Sequence, residues 1–173
     1  MTTPVEVRQA RPTDAATLGE IEAAADALLI DRFGATDWPP PASAAERSAL
    51  PGFILVAEQP DHAAGSPAVI GFVHVLEIDG HAHLEQLSVL PESGRRGIGR
   101  RLVAEALRTA RTRGHTQITL RTYRDVPWNA PFYASCGFVE TSPDSPFLAD
   151  LVRVETELGL FRHGARVQMT ALL

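Results

Sequence analysis

The sequence predicts an α/β (α+β) fold in which seven strands are interspersed with helices. Short apolar, β-branched segments alternate along the chain with segments whose apolar residues recur every three or four positions. Asp79-Gly80 separates two such apolar segments, and this dipeptide is a strong signal for a two-residue hairpin. A Gly/Arg-rich turn at 94–100 joins a strand pattern directly to a helical one.

The first half of the chain is predicted to begin with a strand and a long helix. Val5 and Val7 alternate with polar residues, and Pro12-Thr13-Asp14 is a typical helix start. The tryptophan and prolines of 38–41 interrupt the helical pattern, and the polar segment 59–67 is typical of a loop. The predicted strands of this half are 5–10, 53–58, 68–78 and 81–90, and the predicted helices are 12–30 and 42–50.

The second half is predicted to continue with helix and strand in turn. Gly114 follows a long helical pattern and suits the residue just past a helix end. The predicted helices are 97–113, 128–135 and 148–161, and the predicted strands are 117–122, 137–139 and 167–172. The C-terminal segment 148–172 is also a candidate edge for a homodimer.

Composition limits the classes of protein and of partner. A chain of 173 residues suits one domain, 1–173, with a normal core. The net charge of −5 argues against a nucleic-acid partner, and no apolar segment is long enough to span a membrane. Residues 1–10 have no signal-peptide pattern, and the single Cys136 excludes an internal disulfide. A lone thiol suits a reducing compartment, so we expect a cytoplasmic protein.

The turn at 94–100 has the properties of an anion site. Gly97 and Gly99 lack Cβ atoms, so the backbone can turn sharply and a ligand can approach closely. The N–H groups of the first helical turn have no intrahelical acceptor, and the helix dipole favours negative charge there. Four arginines, at 95, 96, 100 and 101, add positive charge to an otherwise acidic chain. A phosphate or pyrophosphate is the ligand that this pattern predicts.

Four interpretations of this turn compete. A P-loop requires Gly-Lys-Ser/Thr, and no lysine is present near the turn. The dinucleotide fingerprint G-x-G-x-x-G does not match the glycine order Gly94, Gly97, Gly99. The pyrophosphate loop of acyl-CoA-dependent acetyltransferases fits best, and an exposed helix end with solubilising arginines is the alternative.

The turn and three other segments together decide between these interpretations. Leu87-Ser88-Val89-Leu90-Pro91, Arg95-Arg96-Gly97-Ile98-Gly99-Arg100 and Asn129-Ala130-Pro131-Phe132-Tyr133-Ala134-Ser135-Cys136-Gly137-Phe138 resemble the GNAT N-acetyltransferase superfamily, as does the opening at 7–15. The resemblance covers essentially the whole chain. It implies a mixed, mostly antiparallel seven-stranded sheet with helices on both faces, and acetyl-CoA as the co-substrate. It also implies acetyl transfer to a primary amine by direct attack in a ternary complex.

The same resemblance implies where acetyl-CoA binds. The pantetheine would bond the strand backbone as an added strand, and the pyrophosphate would lie on the loop. The implied pantetheine contacts are Leu87, Ser88 and Val89, and the implied pyrophosphate contacts are Arg95, Arg96, Gly97, Ile98, Gly99 and Arg100. Two positions depart from the family: Gly94 stands where Gln or Arg is usual, and Val126 where an Asn often contacts the pantetheine. Asn129 is the candidate replacement for that Asn.

Tyr133 is the candidate general acid for the departing thiolate. A phenol has a pKa of ~10 and a thiol one of ~8.5, so this proton transfer is feasible in a dry site. The alternative is that Tyr133 packs, or hydrogen-bonds the sulfur, without transferring a proton. Cys136 suggests an acyl-cysteine intermediate, but its place at a predicted helix end favours a buried structural thiol.

Glu85 is the candidate general base for the amine. If Asp79 and Gly80 are the two turn residues, His74 faces Glu85 across the hairpin, and His83 lies on the same face. A carboxylate between two imidazoles is a plausible proton-handling cluster, acting directly or through water. A structural role for Glu85 and a Zn²⁺ site are the alternatives, and no metal is expected because a fourth ligand is missing. A β-bulge would shift this register.

The amine acceptor is the least determined part of the prediction. Phe33 and Trp38 are candidates for the wall of its pocket, together with His74 and His83. The loop 59–67 is a candidate for closing the site around a small acceptor, and Glu77 and Asp79 are expected near the rim of the pocket. An acidic rim favours a cationic small molecule. The alternatives are a protein or peptide amine, and a non-catalytic acyl-CoA-binding module.

Overall fold

The computed structural model describes residues 4–61 and 63–173 and contains one seven-stranded sheet of order β1-β2-β3-β4-β5-β7-β6. The strands are β1 Glu6–Gln9, β2 Gly52–Gln59, β3 Ala68–Ile78, β4 His81–Val89, β5 Gln117–Tyr123, β6 Val139–Thr141 and β7 Arg166–Leu172. The helices are α1 Ala15–Phe33, α2 Ala44–Ala49, α3 Ile98–Thr112, α4 Ala130–Ser135 and α5 Pro146–Glu157. Short 3₁₀ turns lie at Pro12–Asp14, Pro91–Ser93 and Leu160–His163.

The sheet is mixed and mostly antiparallel, which confirms the predicted fold class. Only β4 and β5 pair in parallel, and they do so over three residue pairs: Ala82 with Ile118, His83 with Thr119, and Leu84 with Leu120. Beyond Leu84 the two strands share no further pair, although β4 continues to Val89. The sheet is therefore split between β4 and β5.

Helices cover both faces of the sheet because alternate strand residues are apolar on each side. Leu102, Val103 and Ala106 of α3 pack in one buried cluster with residues of β2 to β5. Leu18 and Ile21 of α1 pack with Val56 and Phe72 in a second cluster. We call these two sides of the sheet the α3 face and the α1 face. No helix among residues 4–61 and 63–173 is long and apolar enough to cross a bilayer.

The Asp79-Gly80 turn forms as predicted, but the hairpin register changes along β4. Both turn residues have positive φ, 51° and 78°, as a type I′ turn requires. Leu76 faces His83 as expected, but His74 faces Gln86 and not Glu85, so that predicted pair is wrong. The register shifts between His74 and Val75, which leaves Glu85 as the extra residue of a β-bulge.

The C-terminal helix is shorter than predicted and is followed by a break. Ser145 caps its start by accepting a hydrogen bond from the Leu148 N–H, and the helix ends at Glu157, not at Phe161. Gly159 then adopts φ 70°, which interrupts the helix before the turn at Leu160–His163. Strand β7 lies between β5 and β6, so β6 is the sheet edge at this end.

Candidate active site

A cavity of about 1130 Å³ follows the split between β4 and β5. On the α3 face it is lined by the turn and helix start between Pro91 and Arg100, and by residues within 127–133. On the α1 face it is lined by α1, residues 38–40, part of α5, residues of β5, and Arg166. The cavity thus reaches both faces of the sheet through the gap that the diverging strands leave.

The loop before α3 presents a series of free backbone N–H groups to this cavity. The Gly94 N–H donates to Pro91 O at 3.0 Å, and the Arg101 N–H donates to Gly97 O at 3.0 Å. Between them, the amides of residues 95–100 find no backbone acceptor in the part of the chain that the structure describes. Gly97 has φ 76°, and a Cβ there would meet nothing within 4 Å. This open, glycine-based turn fits a diphosphate.

The arginines of the loop have different environments. Arg100 lines the cavity and donates to the carbonyl and the hydroxyl of Ser135, both at 2.8 Å, which ties α3 to α4. Arg95 also lines the cavity, with φ 61°. Arg96 does not line it, because its guanidinium donates to Gln59 Oε1 at 3.2 Å. Of the three arginines predicted to contact the pyrophosphate, Arg95 and Arg100 therefore line the cavity and Arg96 does not.

Residues 87–89 of β4 lie along the split. Val73, Phe72 and Gly71 of β3 pair with them on one side, and no β5 residue pairs with them on the other. Leu87, Ser88 and Val89 all line the cavity. A strand with one unpaired edge offers backbone donors and acceptors to an extended ligand, which the pantetheine arm is.

Asn129 stands on the cavity wall opposite this strand edge. Its Oδ1 accepts a hydrogen bond of 2.6 Å from the Thr122 hydroxyl, which leaves the amide nitrogen available. Val126 is 3% exposed and does not line the cavity. Of these two positions, Asn129 and not Val126 therefore lines the cavity.

Tyr133 lines the α3-face half of the cavity. Its ring packs edge-on against Phe132 and Phe138, with centroid distances of 5.1 and 5.8 Å. Only 9% of the Tyr133 residue is exposed, and its hydroxyl has no hydrogen-bond partner among the described residues. Burial, and then the nearby Cys136, raise the pKa of the phenol well above its usual range. The phenol therefore stays protonated, as a hydrogen-bond or proton donor must.

Glu85 and His83 lie together in the α1-face half. The His83 Nε2 is 3.9 Å from the Glu85 Oε2, and the His83 Nδ1 is 2.8 Å from the Thr119 hydroxyl. The Glu85 side chain is 44% exposed, and this surface faces the cavity. Desolvation by the surrounding cavity walls raises the pKa of Glu85, with Glu22 and Glu155 acting in the same direction. Burial, and then Arg121, lower the pKa of His83 to about 4, so the ring is neutral.

His74 does not join this pair. It is buried on the α1 face, does not line the cavity, and has its pKa lowered to about 4 by burial and by Arg47. The predicted cluster of three residues is therefore reduced to two, because the bulge at Glu85 shifts the register. Within residues 4–61 and 63–173, no group of three His, Cys, Asp or Glu side chains is arranged to hold a metal ion.

The predicted aromatic wall is only partly in contact with the cavity. Trp38 lines it, together with Pro39 and Pro40. Phe33 does not line it but packs behind, 6.1 Å from Trp38 and 4.9 Å from Tyr123 by ring centroids. None of residues 59–61 and 63–67 lines the cavity either, so the expected closure by this loop is not observed.

The expected acidic rim is at a different place. The Glu77 carboxylate accepts from Arg113 Nε and lies close to His115 Nε2, both at 2.8 Å, beyond the end of α3. Neither Glu77 nor Asp79 lines the cavity, so the prediction for both was wrong. The hairpin carries them away from the split, since they lie at the opposite end of β3 and β4.

Five charged residues of the cavity wall were missed by sequence reasoning. They come from four separate elements, and no local motif connects them. They are Glu22 and Asp26 of α1, Arg121 of β5, Glu155 of α5 and Arg166 of β7.

The fold and the loop geometry together define an acyl-CoA-dependent acyltransferase, and comparison with known families agrees. Residues 22–138 match the family model described as Acetyltransferase (GNAT) family. The chain belongs to this family of N-acetyltransferases, whose co-substrate is acetyl-CoA.

Three solved structures have a similar fold, although their sequence identity to this chain is low. Rv2747 from Mycobacterium tuberculosis, in complex with CoA and NLQ, has a TM-score of 0.67 and 20% identity, with 97% of this chain and 99% of that chain covered. PaiA N-acetyltransferase from Thermoplasma acidophilum, in complex with coenzyme A, has a TM-score of 0.67 and 18% identity, with 98% and 99% covered. The ribosomal-protein-S18-alanine N-acetyltransferase from Escherichia coli has a TM-score of 0.66 and 17% identity, with 98% and 94% covered. These likenesses concern the fold.

Proposed function

We propose that this enzyme transfers the acetyl group of acetyl-CoA to the primary amine of a small molecule by direct attack in a ternary complex. One observation carries the proposal: a single cavity passes through the sheet and is lined by Tyr133 on the α3 face and by Glu85 on the other. Leu84 packs into the α3-side core, so the next residue of the strand, Glu85, points to the α1 face. Cofactor and acceptor can therefore approach the same point from opposite sides.

The residues of the α3-face half suit the cofactor. The free amides of 95–100 would hold the pyrophosphate, with Arg95 and Arg100 beside it. The pantetheine would lie along the unpaired edge of 87–89, opposite Asn129. This course brings the thioester towards Glu85, because the bulge directly precedes these residues.

The residues at the split suit the chemistry of acyl transfer. Glu85 takes a proton from the amine, directly or through water, and the amine nitrogen then bonds the thioester carbon. A backbone N–H within 87–89 polarises the carbonyl as negative charge develops on its oxygen. The C–S bond breaks, and Tyr133 gives its proton to the leaving thiolate and later recovers one from solvent.

The enclosure of the α1-face half favours a small acceptor. Trp38, Pro39 and Pro40 cover it on one side, and the turn at Leu160 and the end of α5 cover it on another. The direct test is a panel of amines and peptide N-termini, with the release of the CoA thiol measured alongside calorimetric titration of acetyl-CoA. Turnover of small amines supports the proposal, and turnover of peptides alone would contradict the small acceptor. Binding of acetyl-CoA without any turnover would instead identify a non-catalytic binding module.

A further inference from the structure

Arg121, Glu155 and Arg166 form a buried ion cluster on the acceptor side of the cavity. Arg121 Nε lies 2.9 Å from Glu155 Oε2, and an Arg166 terminal nitrogen lies 2.5 Å from Glu155 Oε1. The three side chains are 6%, 12% and 10% exposed, in the order Arg121, Arg166, Glu155, and all three line the cavity. Two guanidinium groups share one carboxylate, so the cluster carries one surplus positive charge.

The two arginines also have unused donors. Arg121 bonds Glu155 through Nε, and its two terminal nitrogens have no hydrogen-bond partner among the described residues. The Nε of Arg166 is buried without any partner, and its guanidinium lies over the Tyr123 ring at 4.5 Å. The Arg166 Nε is therefore an unsatisfied buried donor, which is unusual in a folded protein, whereas the terminal nitrogens of Arg121 are free to bond a molecule in the cavity. An anionic group in the cavity would supply the missing acceptors.

Arg121 and Glu85 occupy equivalent positions at the start of the split. Leu84 and Leu120 are the last pair of the parallel strands, and each of the two charged residues follows directly in its own strand. Both lie on the α1 face, since Leu84 and Leu120 pack into the α3-side core. Glu85 and the ion cluster thus border the same half of the cavity, and Arg166 of the cluster is close enough to act on the pKa of Glu85.

The surplus positive charge stands on β5 and β7, whereas the carboxylates of this half outside ion pairs with arginine, Glu85 and Asp26, lie on β4 and α1. Glu22 is paired with Arg47, so it contributes no net charge. Asp26 lies on α1, across the cavity from β5 and β7, and burial raises its pKa to about 6. The positive wall of β5 and β7 and the negative Glu85 are therefore distinct and adjacent.

From this arrangement we infer that the acceptor is an amino carboxylate, such as a free α-amino acid, whose carboxylate binds Arg121 and Arg166 while Glu85 faces its amine. This inference rests on the proposed function. Planar guanidinium groups match a carboxylate by two parallel hydrogen bonds. A single surplus charge suits the one negative charge of a carboxylate better than the double charge of a phosphate. Leu151, Val154 and Leu158 line the adjacent wall and suit an apolar side chain on the acceptor.

The test compares acceptors that differ only in the carboxylate. Leucine, leucinamide and isopentylamine form one matched set, and phenylalanine, phenylalaninamide and phenethylamine a second, with kcat/KM expressed per neutral amine. For the native enzyme we expect a preference of about 10- to 100-fold for the amino acid, the range that hydrogen bonds to charged groups contribute. In Arg121→Gln the preference should fall to about 1, through the KM of the amino acid, because Glu155 then neutralises the remaining Arg166. The carboxylate-free amines should lose far less of their rate.

Arg124→Gln is the matched control. Arg124 follows β5, is 52% exposed, pairs with Glu140 and does not line the cavity, so its loss should leave the preference intact. Equal losses on all acceptors in Arg121→Gln, with the preference retained, would show a purely structural cluster and overturn the inference. If the Arg121→Gln variant does not fold, the same panel of acceptors measured with Arg166→Lys and with the native enzyme still tests the carboxylate site.

The native panel also separates this inference from the proposed function. Efficient turnover of isopentylamine and phenethylamine, equal to that of the amino acids, would overturn the carboxylate site and leave amine acetylation standing. Absence of turnover on every small amine would overturn the proposed function itself.

Discussion

The Nε2 of His83 lies 3.9 Å from the carboxylate of Glu85, and the far nitrogen of the ring is engaged by the Thr119 hydroxyl. The ring is held by a partner inside the sheet, and its lowered pKa keeps it neutral at physiological pH. Glu85 therefore has no cationic partner in His83, which is consistent with the raised pKa of its carboxyl group. A carboxylate in this state is a stronger base than one on the surface.

The first prediction concerns this carboxylate. A base acts when deprotonated, so kcat/KM should fall as the pH falls through the pKa of Glu85, at a higher pH than for an ordinary glutamate. Glu85→Gln should lower kcat by about 100-fold or more and remove that limb of the pH profile, leaving the ionisation of the amine. Steady-state rates from pH 5 to 9 measure both effects. Glu6→Gln, on the exposed edge strand, is the control, and an unchanged profile in Glu85→Gln would show that another group is the base.

The second prediction compares the two tyrosines of the chain, both of which line the cavity. The Tyr123 hydroxyl donates to Leu160 O at 2.9 Å, whereas that of Tyr133 is unpartnered among the described residues. Tyr133→Phe should lower kcat by about 100-fold and leave the Kd for acetyl-CoA within a factor of about 2. Tyr123→Phe should retain most of the activity and lose about 1 kcal/mol of stability. Similar kcat values for the two variants would remove Tyr133 from the role of acid.

The third prediction tests the loop before α3. Gly97 and Gly65 have φ of 76° and 71°, and a Cβ would meet nothing within 4 Å at either position. Alanine at each should therefore destabilise the protein by a similar amount, about 1 kcal/mol, because only glycine adopts this conformation freely. Gly97→Ala should also weaken CoA binding, by about 10-fold, since its methyl group stands where the ligand approaches. Calorimetry that finds equal affinity in the two variants would place the diphosphate elsewhere.

The fourth prediction concerns Asp26 of α1. Burial, and then Glu22, raise its pKa from 3.8 to about 6, so the folded state binds the proton more tightly than the unfolded state. The resulting stability is present below about pH 4 and is lost as the pH rises through 6. Asp26→Asn cannot ionise and should be more stable than the native protein at pH 7.5, by up to about 3 kcal/mol at 1.36 kcal/mol per pKa unit.

Urea unfolding at pH 4.5 and 7.5 measures this difference, which should shrink at the lower pH. Asp31→Asn, at an exposed position on the same helix, is the control. A gain in stability that is equal at both pH values would show that charge burial is not its cause.

Local signals sufficed for much of the fold. The Asp79-Gly80 turn forms where its dipeptide indicates, because both residues tolerate positive φ. The helix after the glycine-rich turn begins at Ile98, one residue from its predicted start. The end of α5 was missed, because Gly159 within an apolar pattern was not recognised as a helix stop.

Local sequence patterns predicted only part of the candidate site. The turn at 94–100, Tyr133 and Asn129 lie within continuous motifs, and apart from Arg96 the structure places these residues on one cavity. The pairing of His74 with Glu85 failed, because one extra residue in β4 shifts the register and no local pattern marks a bulge. Glu77 was predicted near the rim of the pocket. It pairs instead with Arg113 at the C-terminal end of α3, because the hairpin extends away from the split.

The sequence by itself determined the class of fold, the membership of an acetyl-CoA-dependent family and the segment suited to a diphosphate, because each depends on contiguous residues with a fixed local geometry. Only the tertiary structure decided which charged groups meet in the acceptor half. Arg121, Glu155 and Arg166 come from three elements separated by up to 45 positions along the chain. Such groups interact only after the sheet has formed and has excluded the water between them. Their spacing along the chain therefore does not predict the contact.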